Sequence, residues 1–330
     1  MTNLDAVMHD NATVVRLLSE YINFHPRFLT QEMVEELATE CNVTTDEAFR
    51  TLFVAAVGLD TIDDRHDKEL ERLYFIPSLR RLDPSVYYGD AYTKTIRFPQ
   101  QRLGKWETCE HFYAPYEPFV RNHPVLTDAL REIPQIGYFD EEFRFPAVLE
   151  NGVEWMTVTP NEIETMKAPI QHACGRVLTL GLGLGYFAFH AAQKESVSSV
   201  TIVEQSQDVI ELFQTHILPQ FPNREKIRIV QADAFAYMDR VTERDCDYIF
   251  ADLWHDPSDG LEMYLRLKPH EKRLPRTPID YWIEPSLLSL LRSMVWRRIS
   301  DPTEPLQLRG IPPERLLSDA FLKSLDLKQI

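Results

Sequence analysis

Three acids and a histidine, each set just past a short apolar run, are the residues of this sequence best suited to chemistry. Glu204 follows Val200–Val203, Asp233 sits in Gln-Ala-Asp-Ala after Ile227–Val230, and Asp252 closes Tyr248–Ala251 and opens Asp252-Leu-Trp-His-Asp256. Carboxylates accept hydrogen bonds from hydroxyl and amino groups, and Asp252 with His255 can orient a reactant and take its proton. Ahead of them runs Arg176-Val-Leu-Thr-Leu-Gly-Leu-Gly-Leu-Gly-Tyr186, an apolar strand leading into three alternating glycines. Gly181, Gly183 and Gly185 lack the side chains that would keep a ligand off the backbone, and a helix that follows aims free N–H groups at the bound molecule. Glu204 lies 19 residues past Gly185, the distance expected for a carboxylate that accepts from ribose hydroxyls. Taken singly these are a tight turn, helix caps and solvated loop acids; in this order and spacing they predict an adenosine-containing ligand.

The elements that must position these groups alternate strand with helix, which implies a parallel sheet with helical crossovers and a ligand at the carboxyl ends of the strands. Upstream, Phe143–Glu150 and Val153–Val158 flank Asn151-Gly152 and predict a hairpin with a two-residue turn. Pro146 predicts that the first of these strands is an edge. Thr159-Pro160-Asn161-Glu162 supplies an N-cap, a proline at the first helical position and a capping-box glutamate, so a helix is expected over 160–173. Trp155, Glu162 and Glu164 offer an aromatic wall and acids suited to a cationic amine, although hairpin packing and helix capping account for them as well. Arg266, Lys268, Lys272, Arg273 and Arg276 read as a solvated basic loop, with a lid over an acidic acceptor as the alternative.

Residues 12–75 carry helical patterns, with Val14, Leu17, Leu18 and Tyr21 on one face and Phe49, Leu52, Phe53 and Ala56 on another. Thr44 and Glu47 form a capping box. Helices near 31–40 and 45–58 suggest a helix-turn-helix, but the second offers only Arg50 among acids, which argues against DNA. A further helix is expected to begin at Asp60-Thr-Ile-Asp-Asp-Arg-His-Asp67 and to place Asp60, Asp63, Asp64 and Asp67 on neighbouring turns, as acids at a helix start rather than metal ligands. Pro77–Pro134, rich in proline and aromatics, is expected to wrap a surface in short irregular pieces. With 330 residues, 44% hydrophobic, the chain has material for a large core, and its net charge of −16 repels phosphates. Four scattered cysteines form no Cys-x-x-Cys pair, so neither disulfides nor zinc is expected. The first ten residues lack a secretory pattern, and a cytoplasmic protein is expected.

At residues 160–256 the chain resembles the class I S-adenosylmethionine-dependent methyltransferases, on Gly181-x-Gly183-x-Gly185, Glu204, Asp233-Ala234 and Asp252 in that order. The resemblance implies an α/β fold with a Rossmann-like parallel sheet. It implies that Gly181, Leu182, Gly183 and Gly185 lie against the methionine and ribose of S-adenosylmethionine, with Glu204 and Gln205 at the ribose and Asp233 and Ala234 at the adenine. Asp252 would border the reaction centre, with His255 beside it as a second catalytic residue. Two features depart from the family. Thr179 stands where an acid is usual two residues before the first glycine, and 257–330 lacks the three further strands expected, so the sheet is either shortened or extended elsewhere by the hairpin.

The hairpin and the helix after it also resemble the spermidine synthase branch, which transfers an aminopropyl group, but Leu184 replaces the aspartate normally found between its last two glycines. The loose fingerprint Gly183-x-Gly185-x-x-Ala188 keeps a nicotinamide-dependent oxidoreductase open, and a non-catalytic nucleoside-binding protein remains a third alternative. The expected organisation is a mainly helical domain with its wrapping segment at 1–142, a nucleoside-binding domain with leading hairpin at 143–300 and an extension at 301–330. The expected reaction is methyl transfer to an unidentified small molecule. No nucleic acid, membrane or metal is expected, and homo-oligomerisation is left open.

Overall fold

The computed structural model describes residues 3–98, 100–300 and 311–325. The extension expected at 301–330 therefore lies outside the described residues except for 311–325. The described strands are β1 (Leu79–Arg81), β2 (Gln101–Leu103), β3 (Trp106–Tyr113), β4 (Phe119–Leu126), β5 (Glu132–Tyr138), β6 (Phe143–Glu150), β7 (Val153–Thr157), β8 (Gly175–Leu180), β9 (Val197–Glu204), β10 (Ile227–Gln231), β11 (Tyr248–Ala251) and β12 (Ile279–Tyr281). They form three sheets, in the orders β1-β5-β4, β2-β3-β6-β7 and β10-β9-β8-β11-β12. The chain divides into two compact units. One gathers Met1–Pro84, Phe112–Arg144 and Leu291–Leu322, and the other Ser85–His111, Phe145–Leu290 and Lys323–Ile330, each as far as the described residues extend.

In the first unit the apolar stripes of three helices, Asn3–Phe24, Gln31–Cys41 and Thr45–Ala56, meet as their periodicity requires. Val14, Leu18 and Tyr21 of the first, and Phe49 and Phe53 of the third, are buried together, with the Phe49 ring 4.2 Å from that of Tyr138 in β5. Thr44 and Glu47 make the expected capping box. The helix expected from Asp60 starts later. Asp64 caps Arg65–Leu70 by accepting from the backbone N–H groups of His66 and Asp67, while the Asp67 carboxylate turns back to accept from the N–H of Asp60 at 2.8 Å. These acids are thus spent on local turns, and no group of three or more metal-ligating side chains occurs among the described residues.

Pro77–Pro134 corrects a second expectation. It carries β3, β4 and the start of β5 rather than irregular pieces alone. Pro124 lies in β4, which is an edge of its sheet, and Pro134 lies in the central strand β5, both in a region of shifted register between the two strands.

The second unit is built on the parallel sheet, which is Rossmann-like and shortened to five strands. From β8 the chain steps outward to β9 and β10, then returns to the other side of β8 for β11 and β12. The reversal lies between β8 and β11, whose carboxyl ends therefore flank the crevice where such sheets bind ligands. β12 has only three residues, Ile-Asp-Tyr after Pro278, too few to show a period in the sequence. The hairpin does not extend this sheet. Its turn has φ +52 at Asn151 and +82 at Gly152, as a primed two-residue turn requires, and it belongs to the antiparallel sheet. There β6 lies between β3 and β7, so Pro146 is in an interior strand and not at the expected edge. It lies one residue before the stretch of β6 that pairs with β7, where its carbonyl accepts from Val158 N–H at 3.1 Å. No described helix is long and apolar enough to cross a membrane.

Candidate functional site

Val177, Leu178, Thr179 and Leu180 in β8 are all buried, so the chain must turn without side chains to leave the sheet. The turn is left-handed at all three glycines, with φ +94 at Gly181, +53 at Gly183 and +78 at Gly185. Packing demands two of them. A Cβ on Gly181 would stand 1.9 Å from the carbonyl oxygen of Asp252, and one on Gly185 would stand 2.4 Å from the Phe213 ring. Gly183 is different: nothing lies within 4 Å of its Cβ position, and it lines a cavity of about 570 Å³. Bare backbone beside open space is what close approach of a ligand needs.

The turn is tied to the strand ends around it. Gly181 N–H donates to the Val203 carbonyl at 2.9 Å and Gly185 N–H to that of Leu182 at 3.0 Å. Leu182 N–H donates to Glu204 Oε2 at 3.3 Å, and Ser206 N–H donates to Oε1 at 2.8 Å. A carboxylate has about four acceptor positions, so Glu204 keeps capacity for two more donors. Thr179, standing where an acid was expected, donates its hydroxyl to the Gly181 carbonyl at 3.3 Å. Asp233 caps the helix Ala234–Met238 by accepting from Ala236 N–H at 2.8 Å.

The cavity brings together every sequence-predicted site residue: Gly181, Leu182, Gly183 and Gly185 from the turn, Glu204 and Gln205 after β9, Asp233 and Ala234 after β10, and Asp252 and His255 after β11. Its other end joins Trp155 and Glu162, which the sequence offered as a wall and an acid with hairpin packing and helix capping as the plainer reading, to groups that the sequence did not single out. Glu162 is the main correction. The helix Pro160–His172 forms with Pro160 in its first turn, but Thr159 makes no side-chain cap bond. Glu162 instead lines the cavity, accepting from the Thr157 hydroxyl at 3.5 Å and from the Thr157 backbone N–H. Burial pushes its carboxyl well above the usual range, and the charges of Asp252 and Glu154 add to the effect. Burial likewise lifts Asp252 from 3.8 to about 7. Glu164 does not line the cavity; it pairs with Lys167 at 2.7 Å.

Trp155 forms the wall here, its ring edge-on to His255 at 4.1 Å and to Trp106 at 5.8 Å. His255 is exposed and its Nδ1 lies 3.2 Å from Asp259 Oδ2. Lys105 pairs with Glu150, and Glu154 with His111 at 2.9 Å. Six carboxylates line the cavity (Glu150, Glu154, Glu162, Glu204, Asp233, Asp252) against the single cation Lys105, so its field favours a positively charged ligand. Trp106, Lys105 and Trp282 were missed because they arrive from β2–β3 and β12, elements the sequence did not reveal. The basic stretch 266–276 forms no lid: Arg266 lies on the Phe235 ring, Lys268 pairs with Glu271, Arg273 donates to the Met238 and Val241 carbonyls, and Arg276 pairs with Glu243.

No protein-family model matches the sequence, and no curated protein matches it. Among solved structures, spermidine synthase from Thermotoga maritima is similar over 40% of this chain and 49% of its own, with a TM-score of 0.30 and 16% identity. Spermidine synthase in complex with the transition state analogue AdoDATO has the same identity and coverage, with a TM-score of 0.31. Precorrin-8w decarboxylase from Methanobacterium thermoautotrophicum gives 0.29 and 15% over 38% of this chain and 64% of its own. The chain thus spans about half the length of the spermidine synthases it is similar to. The fold class rests on the strand order of the chain itself.

Proposed function

We propose that the chain is an S-adenosylmethionine-dependent methyltransferase acting on a small, positively charged amine. The observation that carries this reading is one cavity with two unlike ends, a bare glycine turn ringed by Glu204 and Asp233, and an aromatic wall facing the carboxyls of Glu162 and Asp252. The residues fit the nucleoside: Gly183 leaves room at the turn, Glu204 and Gln205 would take the ribose hydroxyls, and Asp233 and Ala234 would border the adenine. S-adenosylmethionine, when bound, supplies a methyl group on an already activated sulfonium, so alignment carries much of the rate.

The chain's own residues then have two tasks. Trp155 and the acids would attract and orient an ammonium group. An amine attacks only through its free lone pair, so a proton must leave first, and a carboxyl held near neutrality is matched to that transfer. Asp252, lifted to about 7 by burial, is the assigned acceptor of that proton, with Glu162 beside it and His255 at the mouth.

Aminopropyl transfer from decarboxylated S-adenosylmethionine is the second reading, favoured by the same acid and aromatic end. Leu184, buried at 4% exposure, stands against it, because an apolar side chain makes no polar contact there. A dinucleotide needs a second strand–helix half, and among the described residues after β11 only the three-residue β12 joins the parallel sheet. All four cysteines are unpaired, which suits the cytosol to which we assign the protein.

A thermal-shift series with S-adenosylmethionine, S-adenosylhomocysteine, decarboxylated S-adenosylmethionine and both nicotinamide dinucleotides tests the assignment, followed by S-adenosylhomocysteine release with a panel of small amines. Stabilisation by the first two and release only with amines is the expected result. A shift with a dinucleotide alone would overturn it.

A further inference from the structure

We infer that Tyr92 is a positioning residue that holds the glycine turn in its ligand-ready form, an inference that rests on the nucleoside-binding reading of that turn. Two short helices, Pro84–Tyr88 and Ala91–Thr95, precede the antiparallel sheet. Nothing in the sequence marks them as part of a site almost a hundred residues downstream. Tyr92 is fully buried and its hydroxyl donates to the Leu184 carbonyl. Its ring is edge-on to Tyr186 at 5.3 Å and to Phe189 at 5.2 Å. Two residues earlier, Asp90 accepts from Tyr92 N–H at 2.8 Å and from the Tyr186 hydroxyl at 3.2 Å, and lies 3.3 Å from His190 Nε2. Burial opposes the Asp90 charge, but His190 and the N–H groups of Tyr92 and Thr93 outweigh it and hold the carboxyl below its usual range.

The segment therefore grips both sides of Gly185: the carbonyl just before it, and the first residue of the helix Tyr186–Gln193 just after it. The near end of the turn is fixed by β9, through Val203 and Glu204. At the far end the peptide between Leu184 and Gly185 has a glycine on one side, so sterics alone do not fix its orientation. Its N–H donates to the Leu182 carbonyl at 3.0 Å, and Tyr92 holds its carbonyl from the other side. Without the hydroxyl that carbonyl loses its partner, the bond to Leu182 alone restrains the peptide, and the turn opens more often.

The test compares two single-hydroxyl deletions in this segment. Tyr92→Phe removes the bond to the turn, whereas Tyr87→Phe removes a buried hydroxyl, 4% exposed as a residue, that reaches Glu164 at 3.4 Å and not the turn. Amide hydrogen exchange of 181–185 in the unliganded protein and titration with S-adenosylhomocysteine are the readouts. The expected result is faster exchange in the turn and binding weakened about tenfold in Tyr92→Phe, with Tyr87→Phe like wild type in both. Asp90→Asn, which keeps the side-chain shape, is expected to change both in the same direction by less, and serves if Tyr92→Phe does not fold. Equal behaviour of the two tyrosine variants, or turn exchange unchanged in Tyr92→Phe, would overturn the inference. If wild-type protein takes no nucleoside, the functional reading fails, while exchange in the unliganded protein still decides whether Tyr92 holds the turn.

Discussion

Two glutamates in different units, Glu132 buried and Glu162 half-buried in a cavity wall, are treated in opposite ways. Glu132, 6% exposed, receives the guanidinium of Arg292, itself 2% exposed. The same guanidinium reaches Asp319 and donates to the Leu317 carbonyl at 2.7 Å. Glu162 has no cation beside it among the described residues; the charges acting on it are those of Asp252 and Glu154, both of its own sign. A buried acid with its cation is architecture, here joining β5 to the segment after 311. A half-buried acid without one, on a cavity wall, is a place for a ligand that brings the positive charge.

Breaking the first pair gives the largest expected effect. Arg292→Met removes the buried guanidinium that Glu132 receives and is expected to cost about 3–5 kcal/mol in a urea melt, with part recovered in the double variant that adds Glu132→Gln. The equivalent change at the cavity is expected to reverse the pattern. Glu162→Gln replaces a carboxyl that has no cation beside it, so stability holds or rises by about 1 kcal/mol, while transfer to an amine falls about a hundredfold. A loss of stability at Glu162 matching that at Arg292 would erase the distinction.

Titration of Asp252 sharpens the contrast further. Its folded value, about 7, lies above the unfolded 3.8, so between these limits the folded state binds more protons. Its contribution to stability is therefore full below about pH 4 and is lost as pH rises through 7. Melting temperatures of the unliganded protein should fall between pH 5 and 8, and Asp252→Asn should flatten that fall. Activity should run the other way, rising through pH 7 as the carboxylate forms. The smallest expected effect is at Gly183, where alanine meets no atom but must hold φ +53; a loss of about 1 kcal/mol is expected in a melt, with ligand binding weakened more than stability.

The turn end of the cavity was legible because its constraints are local. Gly181 must clear a carbonyl, Gly185 must clear a ring, and Glu204, Asp233 and Asp252 each follow a strand whose apolar run is written in adjacent letters. The opposite end was not, because its residues come together only through tertiary pairing. Glu162 occupies a capping-box position and local rules assign it to the cap, whereas its carboxyl sits in the cavity. Trp106 lies in a proline-rich stretch whose strands are defined by partners far away in sequence, and Trp282 follows a strand of three residues. Pro146 misled for the same reason: a single residue type predicts an edge, while its place one residue before the stretch that pairs with β7 is a property of the paired strands.

The central claim is that the turn and Glu204 seat a nucleoside. Calorimetric titration of S-adenosylhomocysteine into wild-type protein and Glu204→Ala tests it most directly. One site per chain, weakened at least about tenfold by loss of the charged acceptor, is the predicted result; equal affinity in the two proteins, or no binding to wild type, would contradict it.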